Sequence, residues 1–69
     1  MMMQMPKMTL KAARVNIGLS QKEAGKLLEV SEDVVSNWER GISFPDVIQL
    51  GKIESVYKVS YDNLIFLPK

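Results

Sequence analysis

The sequence predicts an all-α domain, a compact bundle of five short helices, and three observations carry that prediction. Apolar residues recur at helical spacing in successive stretches, a residue able to cap a helix stands before each stretch, and nothing reads as a strand-and-hairpin pattern. Sixty-nine residues make one small domain, near the lower limit at which a hydrophobic core holds without staples, with no second domain to spare.

Thr9 caps a first helix over about residues 10 to 17, with Leu10, Ala13 and Ile17 on one face and Gly18 as its stop. Ser20-Gln21-Lys22-Glu23 fits the capping box, in which the Ser oxygen and the Glu carboxylate each accept a free backbone N–H at a helix start. This second helix runs to about residue 28 and buries Ala24, Leu27 and Leu28. A turn through Glu29 and Val30 leads to Ser31, the N-cap of a third helix over about residues 32 to 40 that Gly41 closes. Beyond Pro45, Asp46 caps a fourth helix with Gln49 completing a second capping-box-like pair, and Val47, Leu50, Ile53 and Tyr57 fall at helical spacing. Val59 and Ser60 introduce a last helical turn around residues 61 to 65. The Met-rich residues 1–8 read as a frayed start, 9–65 as the folded domain and 66–69 as an apolar tail.

Composition excludes more than it assigns. The absence of Cys and His removes disulfides, thiol nucleophiles, imidazole bases and the usual zinc sites, so neither an enzyme nor a cofactor or small-molecule ligand is expected. Glu32 and Asp33, adjacent on one exposed turn, cannot flank a substrate as a working acid and base would. The N-terminal Met run lacks signal-peptide architecture, and no stretch approaches the roughly 20 apolar residues that cross a bilayer; the protein reads as cytoplasmic, with no membrane partner. Nine basic residues against eight acidic ones give a net charge of +1, so any case for nucleic acid rests on where the charges lie.

The third helix has two faces. At about 100° per residue, Ser31, Val34, Val35 and Trp38 lie together, and Glu32, Asp33, Ser36, Asn37 and Arg40 fill the opposite side. The plainer reading of that polar side is a solvated surface. Against it stand Ser36 and Asn37, two poor helix formers at the exposed centre of a short helix. An Asn amide can pair with adenine N7 and N6, and Ser can bond phosphate or base. Arg40 suits guanine or phosphate, and equally the negative end of the helix dipole. Glu32 and Asp33 stabilise the dipole at the helix start, or accept from cytosine N4 and repel wrong sequences. At the start of the second helix, Ser20, Gln21 and the backbone N–H groups can take a phosphate oxygen, with Lys22 adding charge.

These residues together resemble the Cro/repressor-type (XRE-type) helix-turn-helix family of phage and bacterial transcription regulators, over about residues 9 to 65. The carriers are Arg14, Gly18-Leu19-Ser20-Gln21, Val30-Ser31, Val35-Ser36-Asn37-Trp38-Glu39-Arg40-Gly41, Pro45, and Val59-Ser60 with Asp62 and Leu64. The resemblance implies a lambda-repressor-like DNA-binding domain with the third helix in the major groove. It implies that Arg14 pairs with Glu39 and locks the first helix to the recognition helix. It also implies that Ser20 and Gln21 touch phosphate, that Glu32, Asp33, Ser36 and Asn37 face bases, that Gly41, Ile42 and Ser43 approach the backbone, and that Val34 meets a thymine methyl. The expected DNA-binding set is thus Ser20, Gln21, Lys22, Ser31, Glu32, Asp33, Val34, Ser36, Asn37, Arg40 and Ser43. The chain departs from the pattern at Ala24, Gly25, Glu29 and Lys58, where the family often has Leu, Ala, Gly and Gly. A non-Gly residue in a left-handed turn costs on the order of 1 kcal/mol, which implies a less stable domain than the family's best examples.

The function expected from this sequence is a sequence-specific DNA-binding regulator, a repressor of phage or mobile-element type acting as a homodimer on a double-stranded, pseudo-palindromic operator. Ile65, Phe66 and Leu67 are the candidates for the dimer contact, or else close the monomer core. The competing reading is a protein-interaction module, antirepressor- or antitoxin-like, that keeps the fold without specific DNA binding.

Overall fold

In the computed structural model, which describes residues 7–66, four helices and a two-stranded parallel ladder enclose one core. In chain order the elements are β1 (Met8–Thr9), α1 (Leu10–Asn16), α2 (Gln21–Leu28), α3 (Glu32–Glu39), α4 (Val47–Tyr57), a 3-10 turn (Tyr61–Asn63) and β2 (Leu64–Ile65). Every helix starts on a side chain that accepts a free backbone N–H. Thr9 Oγ1 accepts from Ala12 at 3.1 Å, Ser20 Oγ from Glu23 at 3.0 Å, Ser31 Oγ from Val34 at 3.2 Å and Asp46 Oδ1 from Gln49 at 2.8 Å. The return bonds, Ser20 N–H to Glu23 Oε1 and Asp46 N–H to Gln49 Oε1, both 2.8 Å, complete two capping boxes.

The four helices also end alike. Gly18, Glu29, Gly41 and Lys58 all adopt positive φ, and the N–H of the next residue bonds back into the last turn: Leu19 to Arg14, Val30 to Gly25, Ile42 to Asn37 and Val59 to Glu54. Glycine is free of strain there; Glu29 (φ 62°) and Lys58 (φ 55°) are not. Lys58→Gly is therefore expected to stabilise the domain by about 1 kcal/mol, read as a higher urea midpoint. Glu29→Gly should gain less, because it also removes the ion pair between Glu29 and Lys52 of α4.

Three expectations from sequence are corrected. The fifth helix is a single 3-10 turn, after which the chain extends, and Leu64 and Ile65 pair in parallel with Met8 and Thr9. That ladder is the strand element the sequence did not reveal, and it brings Met8 out of the segment read as frayed; residues 1–6 lie outside the described residues. Leu27 is 56% exposed, because the buried face of α2 runs through Ala24, Gly25 and Leu28 and leaves Leu27 on its edge. No burial was predicted for Val47, and at the start of α4 it is 84% exposed while the later Ile53 and Tyr57 turn into the core.

The core is formed by Leu10 and Ala13 of α1, Ala24 and Leu28 of α2, Val35 and Trp38 of α3, Ile53 and Tyr57 of α4, with Val59 and Leu64 closing it. Gly25 has a role in this packing that its departure from the family pattern did not suggest. A Cβ there would lie 2.8 Å from the carbonyl oxygen of Val30 and 3.3 Å from the Ser31 carbonyl carbon, so the missing side chain lets α2 sit directly on the turn that launches α3.

Candidate nucleic-acid interface

Two capped helices joined by a three-residue turn set the site. α2 packs on α3, and α3 buries Val35, Trp38 and Glu39 while Val34 is half-buried against the core. Glu32, Asp33 and Arg40 are exposed, and Ser36 and Asn37 half-buried, along the side of α3 that faces away from the core. The side chain of α3 that carries charge inward is Glu39. Arg14 of α1 donates from Nε to Glu39 Oε2 at 2.6 Å and from Nη2 to Oε1 at 3.1 Å, and Gln21 Nε2 at the start of α2 donates to the same Oε1 at 3.0 Å. Arg14 Nη1 donates in addition to the Leu19 carbonyl at 2.7 Å. One nearly buried carboxylate thus ties α1, the start of α2 and the end of α3 together, and its hydrogen bond and charge raise the Arg14 pKa.

The structure places the sequence-derived candidates unequally. Ser20 and Lys22 are exposed at the start of α2, where the helix leaves the Gln21 and Lys22 backbone N–H groups without an internal partner. Gln21 commits one amide N–H to Glu39, which leaves its second N–H and its oxygen for a contact. Ser31 spends its oxygen on the Val34 N–H, and half-buried Val34 can offer a base only part of its side chain. Ser43 is half-buried in the loop after α3, with its N–H 3.4 Å from the Asn37 carbonyl. Asn37 and Arg40, expected to act separately, are joined: Arg40 Nη2 donates to Asn37 Oδ1 at 2.9 Å. Their spacing along the helix was visible in the sequence; the choice of each other as partners was not. Of the dimer candidates, Ile65 is exposed in β2, Phe66 packs at the core edge with its ring 6.0 Å from that of Tyr61, and Leu67 lies outside the described residues.

This arrangement has known counterparts. A family model described as helix-turn-helix matches residues 10–64. The chain belongs to that helix-turn-helix family. Over 56 residues, 81% of its length, this helix-turn-helix chain is 41% identical to the HTH-type transcriptional regulator ImmR of Bacillus subtilis (strain 168). It spans less than half of that relative, 44% of its length. No helix among the described residues of the helix-turn-helix domain is long and apolar enough to cross a membrane.

The capping box that starts α2 makes the stability of the helix start pH-dependent. Accepting the Ser20 N–H, and the Ser20 hydroxyl's interaction, lower the Glu23 pKa below its ordinary 4.5. A carboxylate whose pKa is lower folded than unfolded contributes stability above the unfolded value and loses it as pH falls through the folded one. Acid titration of wild type should thus lose this contribution below about pH 4.5, whereas Glu23→Gln, which still caps but does not titrate, should show a shallower loss in thermal melts over the same range.

Proposed function

We propose that this chain is a sequence-specific DNA-binding transcription regulator, a repressor of phage or mobile-element type that occupies an operator with α3 in the major groove. The observation that carries the reading is the division of α3. Its inner side is fixed by Val35, Trp38 and the Arg14–Glu39 pair, while Glu32, Asp33, Ser36, Asn37 and Arg40 stay on the outer side, held on a rigid frame. The relative's name, a transcriptional regulator, supports the same reading. The start of α2, with Ser20, Lys22 and two free N–H groups, suits a phosphate and would set the register without reading sequence.

One such module with a net charge of +1 buries little DNA surface, so useful affinity calls for a dimer on a pseudo-palindrome with half-sites about 34 Å apart. An apolar groove of about 170 Å³ lined by Phe44, Pro45, Leu50, Tyr61 and Phe66, with Val47, Ile48 and Ile65 exposed on the same domain, supports an apolar contact. The same surface favours the second reading, a protein-interaction module whose partner is another protein.

Selection from a random DNA duplex pool at near-physiological salt separates the two. The expected result is enrichment of a palindromic site whose half-site spacing reports the dimer. A folded protein that enriches no sequence would overturn DNA recognition and leave the protein-binding reading.

A further inference from the structure

The bond between Arg40 and Asn37 changes what α3 offers to a base. A free Asn amide presents an acceptor beside its donors, which suits adenine with its N7 acceptor and N6 donor. Here Oδ1 already accepts from Arg40 Nη2 at 2.9 Å, and a base amino group approaching that oxygen meets the N–H donors of a cation. What the pair has left to offer is Asn37 Nδ2 and the remaining N–H groups of Arg40, all donors, beside an oxygen whose approach the guanidinium flanks.

The backbone that carries the pair is held in place. The Asn37 carbonyl accepts from the Ile42 N–H at 2.9 Å, and the Arg40 N–H bonds to the Ser36 carbonyl at 3.0 Å, so the turn after α3 is fastened to the residues that carry the pair. Among the described residues Arg40 enters no salt bridge: its neighbour Glu39 is turned inward onto Arg14.

We propose that Asn37 and Arg40 read DNA as one donor-only unit whose target is guanine, the base with two adjacent acceptors, N7 and O6, on its major-groove edge. Adenine and cytosine bring an amino group to the edge and are disfavoured; thymine offers one acceptor in place of two. This inference rests on the DNA-binding reading above and names what that surface selects.

The test is duplex-pool selection with wild type, Arg40→Ala and Asn37→Ala, followed by competition between duplexes that differ at one base. Wild type should enrich guanine at a half-site position, with a preference of roughly 5- to 150-fold over the other bases. Arg40→Ala frees Oδ1 and should move the preference at that position from guanine to adenine. Arg40→Met, which keeps the apolar stem, should do the same and guards against a folding defect in the first variant. Asn37→Ala should keep guanine with weaker discrimination, because Arg40 loses the group that orients it. Two results would overturn the proposal alone: wild type selecting adenine there, or Arg40 variants losing affinity for all duplexes equally with the preference unchanged. Absence of any enriched site for folded wild type would overturn the DNA-binding reading and this inference with it.

Discussion

Arg14→Ala is expected to destabilise the domain by about 3–5 kcal/mol, the range for removing one partner of a buried ion pair. The side chain is 8% exposed, and its loss leaves the Glu39 carboxylate, 4% exposed, with Gln21 as its remaining partner. A small domain has on the order of 5 kcal/mol in hand, so the variant should be largely unfolded at 37 °C. The destabilisation comes mostly from the stranded charge rather than from the value of the pair itself. The double variant Arg14→Met with Glu39→Met should for that reason be more stable than Arg14→Ala, and the two positions should be strongly non-additive. Urea denaturation at pH 7 reads all of this; an Arg14→Ala midpoint equal to wild type would remove the pair from the account of stability. Because the same carboxylate fixes the end of α3 against α1 and α2, the double variant should fold yet hold its outer face less firmly.

Ile53→Ala should have a comparable effect for a different reason. Ile53 is 0% exposed and carries α4 onto the rest of the core, where α2 is its principal neighbour. Truncation removes buried methyl and methylene groups and leaves a cavity, at about 2–5 kcal/mol, while Ile53→Val should cost only about 0.5–1.5 kcal/mol. Thermal melting of the pair gives the gradation. If Ile53→Ala melted within a few degrees of wild type, α4 would not be part of the cooperative unit that presents α3.

Helix starts were legible in the sequence because capping is local. Thr9, Ser20, Ser31 and Asp46 each reach an N–H three residues on, and the structure has all four helices begin where these residues stand. Helix ends were legible at Gly18 and Gly41 from the residue itself. The end of the second helix was also read, at about residue 28 with a turn through Glu29, but nothing in a Glu or a Lys announces a left-handed backbone, and only the family resemblance marked Glu29 and Lys58 as positions usually held by Gly. The extended C-terminal segment escaped because it depends on Met8 and Thr9, which lie at the far end of the sequence. Which flank of α2 is inward turned on Gly25, whose lack of a side chain reads as a weakness in one dimension and permits close approach in three. The outer side of α3 was identified correctly as polar, but its internal pairing was not: spacing brings Asn37 and Arg40 within reach without saying that the amide oxygen, rather than a base, is the partner.

The parallel pairing of β1 with β2 has a kinetic meaning. It joins residues separated by almost the whole described chain, so its loop-closure entropy is the largest of any contact in the fold, while the helix-to-helix turns close over a few residues. Folding should accordingly nucleate among the helices and zip the two ends together last. On that order, local opening should start by separating the two paired ends while α2 and α3 stay docked, so amide exchange should be faster at Met8, Thr9, Leu64 and Ile65 than in α2 and α3, and early opening would spare the surface that would meet DNA.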